Sequence, residues 1–390
     1  MQMRREFNIM ADIPDKPEEG VELTPSKNRI ALPRKKAALL IGLILIVVLG
    51  SIALLTFRAL NRGTAPASPA VPGNSNAAMF GFDLQHTHFN LNEHILNAAN
   101  VARLVSYWTV STASYVISSA AVVNGIVYFG SYDRTFYALD ARTGKILWTH
   151  NAKDSIGSSP AIANGNVYIG SNDSRLYALN ARTGAMIWTY TTKGAIWSSP
   201  AVANGIVYVG SNDSNLYAFN ALTGAVLWTR TTGNFVSSSP AVTNGVVYVG
   251  SEDGKLYALD ARTGKMLWTA MVSLPIRVSS PAIVNGVVYV GSEDGKLYAF
   301  DARTGETLWT ARTGGYIHSS PAVANGIIYI GSTDHKLYAL NARTGAMIWS
   351  VPSGDVIDSS PTIANGIVYV GSQDHKLYAL DARTGRMLWT

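Results

Sequence analysis

Four side chains equipped for chemistry, Trp197, Arg277, His318 and Asp358, stand at or beside one recurring place in the chain. That place is the residue just before a repeated Ser-Ser pair, where the chain reads Ile117, Gly157, Trp197, Ser237, Val278, His318 and Asp358. The copy at 270–280 carries one extra residue, which lets Arg277 take the place of Val278. An aromatic face, a cation, an acid/base group and a carboxylate suit a polar planar ligand or an acidic peptide. These four are the ligand-binding candidates; the competing reading is that they are loop residues free to drift.

Other acidic residues read differently because they recur. Asp133, Asp173, Asp213, Asp253, Asp294, Asp334 and Asp374 occupy the same place in seven copies, as a turn-capping group would. "SEDGK" resembles a fragment of a calcium loop without its further carboxylates. His335 and His375 hold equivalent places one copy apart and read as exposed polar residues rather than a metal pair. No Ser-His-Asp order, phosphate loop or HExxH run is present, so neither a catalytic residue nor a metal site is assigned. Cysteine is absent, which excludes disulfides, thiolate metal sites, CxxCH haem attachment and a lipid-modified N-terminal cysteine.

The elements that must position these side chains are set out by tryptophan. Trp108, Trp148, Trp188, Trp228, Trp268, Trp309, Trp349 and Trp389 recur every 40 residues, with one step of 41. That period fits four-stranded propeller blades and also paired-helix repeats. Local pattern separates the two. Each unit has short runs rich in Val, Ile, Tyr and Trp, broken by Asn-Gly and Thr-Gly, and none offers ten residues of helical periodicity. Asn-Gly is the preferred pair for a tight hairpin, and it is placed between strands one and two. The second strand, as in "IVYVG" from Ile206 to Gly210, is apolar throughout and so reads as packed on both faces.

The spacing A-x-[DN]-x-x-T-G-x-x-x-W, carried by Ala178, Asn180, Thr183, Gly184 and Trp188, resembles the tryptophan-docking motif of quinoprotein-type β-propellers. That family includes the pyrroloquinoline-quinone (PQQ) dehydrogenases and the propeller lipoprotein of the outer-membrane β-barrel assembly machinery. The resemblance covers roughly residues 104–390, with "FGFDLQHTHFN" at 80–90 similar to the run-in of such proteins. It implies an all-β fold, a propeller of four-stranded antiparallel blades whose eight Trp stack between neighbours. It also implies that the loop before each Ser-Ser and the loop between strands two and three open on one face. Seven units are complete; the early strand "LVSYWT" is expected to join the last blade and close a seven-bladed ring, with eight blades, one irregular, as the alternative.

Composition divides the chain. Residues 1–62 hold 10 Lys/Arg and 6 Asp/Glu, while 63–390 hold 21 and 19, so the basic excess is concentrated at the front. Beside it, residues 37–57 form a charge-free run of twenty-one, long enough to span a bilayer as a helix. Arg34, Lys35 and Lys36 favour an N-terminus on the cytoplasmic side, giving a signal anchor rather than a cleaved peptide. The expected organisation is a disordered cytoplasmic tail (1–36), a single transmembrane helix (37–57), a Pro/Ala/Ser linker (58–78) and the propeller (79–390). With the basic excess explained by the membrane segment, nucleic acid is not an expected partner.

The expected function is a membrane-anchored, extracytoplasmic, monomeric propeller that binds a protein, peptide or glycan on its loop face, without catalysis and without a cofactor. A PQQ- and calcium-dependent dehydrogenase is the first alternative; units of 40 or 41 residues leave no room for the insertions that carry such ligand sets. A sensor coupled to the short cytoplasmic tail is the second.

Overall fold

Each unit folds as one antiparallel sheet because its turns are chemically fixed. In the second unit the strands are Ala161–Ala163, Asn166–Gly170, Arg175–Asn180 and Met186–Thr191, joined in sequence order. The hairpin between the first two turns on Asn164 and Gly165, with φ of 51° and 77°. Positive φ at both central residues is what a two-residue turn of matching twist requires, and Gly supplies it without strain. The second strand is buried along most of its length, whereas the outermost strand is mostly exposed. The structure, a computed structural model, describes residues 77–390. The expected tail, transmembrane helix and most of the linker lie outside the described residues. Among the described residues no helix is long and apolar enough to cross a membrane.

Seven such sheets follow one another, each a meander of four strands. The innermost strands neighbour one another in chain order from Ala121–Val123 to Thr362–Ala364, as blades do around an axis. Between sheets the cores are aromatic and aliphatic, such as Tyr168, Leu176, Val207 and Phe219 between the second and third. The indole Nε1 of Trp108, Trp148, Trp188, Trp228, Trp268, Trp309 and Trp349 donates to an Ala carbonyl 33 or 34 residues ahead, at 3.0–3.2 Å. The same carbonyl accepts the hydroxyl of the inner Tyr in six cases, Tyr128 with Trp148 on Ala181 being the first. Each indole also lies under the Gly of the next Thr-Gly turn: a Cβ on Gly184 would fall 2.5 Å from Cε3 of Trp148.

Closure differs from the sequence expectation. The seventh sheet completes itself with its own outer strand, Met387–Trp389, so the place reserved for "LVSYWT" is already taken. Trp108 docks on the first sheet instead, through Ala141. Leu96, Val101 and Leu104 cover the outward face of the seventh sheet, and Trp108, Val110 and Val116 cover the first. Residues 96–116 therefore wedge into the position where a further sheet would stand. Tyr369, whose counterparts all reach an Ala of the next sheet, is left with its hydroxyl buried and unpartnered.

A second departure lies on the axis. The innermost strand of each sheet turns one free edge inward, and unpaired edges need covering. Residues 77–90 run along these edges as a strap. Val122, Ile162, Val242, Ile283, Val323 and Ile363 donate their backbone N–H to the carbonyls of Ala77, Ala78, Leu84, Gln85, Thr87 and His88, at 2.6–2.9 Å. The strap ends as Phe89–Asn90, paired parallel with Thr362–Ala364 of the seventh sheet.

Candidate functional site: the mouth of the ring

The Ser-Ser pair before each inner strand is a two-part fastener. Its first hydroxyl accepts the N–H of the Gly that ends strand two of the same sheet, as in Ser118 with Gly130 at 2.8 Å. Its second bonds across to the neighbour: Ser119 N–H to Ser159 Oγ, Ser159 to Ser199, and so on to Ser320 and Ser360, at 2.8–3.0 Å. Just upstream a buried Ile or Val seats over the equivalent Gly of the preceding sheet, where any Cβ would collide; on Gly170 it would meet Cγ2 of Ile196 at 2.2 Å. The residue between these two anchors is held at the rim of the ring.

The loop between strands two and three meets it there. Asp173 Oδ1 accepts the N–H of Arg175, and its Oδ2 accepts the N–H of Lys153 and the Tyr177 hydroxyl, at 2.5–3.0 Å. Equivalent bonds recur at Asp133, Asp253 and Asp374, so the recurring aspartates act as turn and loop caps. Burial alone would raise Asp294, but the Tyr298 hydroxyl and the Lys296 amide hold its pKa below the ordinary value.

Three of the four candidates join one polar chain. His318 Nδ1 lies 3.0 Å from Asp358 Oδ1, and its Nε2 lies 3.5 Å from Glu293 Oε1. Arg277 Nε lies 3.3 Å from Glu293 and 3.6 Å from Glu252. Gln373 donates to Asp358 at 2.7 Å, and Ser237 donates to Glu252 and Asn212 at 3.0 and 3.2 Å. The sequence Gln373–Asp358–His318–Glu293–Arg277–Glu252–Ser237–Asn212 spans sheets seven to three. The hydrogen bond to Asp358 raises the His318 pKa; partial burial opposes it, and the charges of Asp358 and Glu293 add to it.

The fourth candidate, Trp197, stands in a different arc. Its ring meets Tyr132 edge-on with centroids 6.2 Å apart, and both border Gly157 together with Ile117. The mouth thus carries an apolar cluster of Ile117, Tyr132 and Trp197 around Gly157, while its contacting charged groups, Glu252 to Asp358, lie on the later sheets. Arg277 takes the place that Val278 would have held, because Ile276 fills the buried seat and Val278 is the inserted, exposed residue.

Sequence reasoning missed Tyr132, Asn212, Glu252, Glu293 and Gln373. All occupy the variable letter before the recurring Asp, so the same search for differing positions, applied to the second loop, would have found them. His335, whose Nε2 lies 3.8 Å from Asp355, and His375 are outside this chain of contacts.

Comparison with known proteins agrees with this architecture. A family model described as the beta-propeller of the beta-alanine-activating enzyme matches residues 141–326, and one described as the outer membrane protein assembly factor BamB matches residues 293–390. No curated protein matches the chain. The solved structure of BamB from Moraxella catarrhalis is 24% identical, with a TM-score of 0.63, over 70% of this chain and 87% of its own. The quinohemoprotein alcohol dehydrogenase from Comamonas testosteroni is 18% identical, with a TM-score of 0.71, over 80% and 72%. A europium-containing methanol dehydrogenase is 16% identical, with a TM-score of 0.69, over 80% and 84%. At such identities the likeness is one of fold. The described part of the chain is a β-propeller of PQQ-like repeats.

Proposed function

We propose that the propeller is a binding or scaffolding module that takes a protein, peptide or glycan on its loop face and performs no catalysis. In this reading residues 37–57 hold it at a membrane as a single-pass anchor, with the propeller on the extracytoplasmic side. The observation that carries the proposal is the split mouth: an apolar arc of Ile117, Tyr132 and Trp197 facing a continuous polar chain from Asn212 to Gln373. Aromatic surface beside fixed hydrogen-bonding groups is the usual make-up of a recognition patch. Arg277 already sits against two glutamates, so of the two ligand classes expected from sequence the mouth favours a neutral polar ligand over an acidic peptide. BamB, described as an outer membrane protein assembly factor, offers a parallel for a ring of this type that serves assembly.

The donor set speaks against PQQ with calcium. The mouth carboxylates Glu293 and Asp358 are each held by two neighbours. Among the described residues no group of three or more His, Asp or Glu is spaced to hold a metal ion. The chain has no cysteine pair to stack on a quinone.

The test is a crosslinking pull-down with the full chain against the Trp197→Ala/His318→Ala variant. Loss of a partner from the variant supports the mouth as the binding face, and an unchanged set of partners argues against it. A thermal shift or dye-linked alcohol oxidation on adding PQQ and calcium would overturn the non-catalytic reading.

A further inference from the structure

The strap is a peptide bound in the middle of the ring, and the hydrogen bonds that repeat along it are made by its backbone. Six carbonyls, from Ala77, Ala78, Leu84, Gln85, Thr87 and His88, meet six inner-strand N–H groups spaced by 40 or 41 residues, with one step of 80 across the third sheet. Adjacent sheets are served by adjacent or next-but-one strap residues, except across the third, where the strap folds on itself. There Phe82 N–H bonds Met79 O, and Asp83 accepts Gln85 N–H, Thr87 N–H and the Thr87 hydroxyl. Apolar fit is limited to three side chains: Met79 against the second and third sheets, Leu84 against the third and fourth, and Phe89 against the sixth and seventh.

The fit is also imperfect. His88 is fully buried, yet neither ring nitrogen has a hydrogen-bond partner, and Nδ1 of His86 has none. Buried polar atoms without partners carry a desolvation cost that a freely solvated strap would not bear. Immediately after the strap, Leu91 is 69% exposed and Asn92 is exposed, before Glu93 and Leu96 are buried again. The exposed pair at 91–92 is the junction between the strap and the wedge at 96–116.

We propose that the ring of inner-strand N–H groups is an exchangeable peptide site, filled here by the chain's own residues 77–90 and open to the same stretch of a second copy. The occupant is fixed by complementarity: a second strap carries the identical carbonyl spacing, the identical fold-back at 79–83 and the same three apolar side chains. Exchange of one element between identical rings creates no new contact type, which makes it a low-cost route to association. This inference concerns the channel and is independent of what binds the mouth.

The experiment uses the full chain and a fluorescent synthetic peptide of residues 77–90. One variant weakens the resident strap (Leu84→Ser/Phe89→Ser). Another locks it at both ends with paired cysteines, Ala77→Cys/Val122→Cys and Asn90→Cys/Ala364→Cys, at positions that are direct strand partners. The native chain has no cysteine to interfere. The expected result is peptide binding at least tenfold tighter to the weakened chain than to the locked one. Reduction of the locked chain should restore binding to the unmodified level. Equal or absent binding in all forms overturns exchange. So does loss of the β-sheet circular-dichroism signal in the weakened variant, which would make the strap a fixed part of the fold.

Discussion

His318 and Asp358 stand at the same place in successive repeats, 40 residues apart, and their side chains meet at 3.0 Å across the boundary between two sheets. Forty residues of separation place them on neighbouring blades, and the rim geometry turns them toward each other. Asp358 raises the His318 pKa above 6.5. The contribution to stability is therefore full below the unfolded value and fades as pH rises through the folded one. The imidazole should titrate above 6.5 by NMR, and Asp358→Asn should bring its midpoint down. A midpoint unmoved by that substitution would remove the pair from the account of the mouth.

The strap responds to pH in the opposite sense. Burial lowers His86 to about 4, opposed only by the Pro281 carbonyl, and lowers His88 to about 3, with His86 adding to the effect. Both must stay neutral in the folded state, so their stabilising effect is complete above pH 6.5 and is lost as pH falls toward 4. A tenfold change in proton affinity is worth about 1.4 kcal/mol, which makes the expected loss a few kcal/mol for the pair. Denaturant melts at pH 7.5 and 5 should show it, and the difference should shrink in His88→Phe. A stability independent of pH over that range would mean the two rings are not buried as neutral groups.

Tryptophan positions should not be equivalent. Trp188 is sandwiched between Gly224 of the next turn and Tyr168, and it shares the Ala221 carbonyl with that Tyr. Replacement by Ala is expected to cost about 3–5 kcal/mol. Trp188→Phe should cost about 1 kcal/mol, because Tyr168 still satisfies the carbonyl. Trp389 makes no such bond to a following sheet among the described residues, so Trp389→Ala should be milder than Trp188→Ala in thermal denaturation.

Two glycines with nearly the same backbone angle separate strain from collision. Gly165 has φ of +77° and open space around a Cβ, so Gly165→Ala should cost about 1 kcal/mol from backbone strain alone. Gly184 has φ of +71°, but its Cβ would meet Trp148 at 2.5 Å. Gly184→Ala should be clearly the more damaging of the two. Equal losses in melting temperature would mean the indole does not pack under that turn.

Much of this was legible in the chain because it is written in local, repeated chemistry. Asn-Gly fixes the first hairpin through φ > 0, Thr-Gly and its Asp or Asn fix the third turn, and an apolar run fixes the strand buried on both faces. The candidate positions Trp197, Arg277, His318 and Asp358 stood out because they vary where their neighbours do not. Their carboxylate partners Glu252 and Glu293 did not stand out, since each lies beside a recurring Asp that drew the turn-capping reading.

What the sequence by itself determined is the blade: strand order, turn type and the tryptophan that faces the next unit. Those depend on residues within about one 40-residue period, and seven copies repeat the same instruction. Only the tertiary structure decided how the ring is finished. The strap joins residues such as His88 and Ile363, 275 positions apart by number, through backbone atoms that every sequence possesses. The wedge covers the seventh sheet with Leu96, Val101 and Leu104, which follow no period. Backbone hydrogen bonds leave no mark on side-chain choice, and a part that occurs once cannot reinforce itself by repetition. Both were therefore silent until the sheets stood around a common axis.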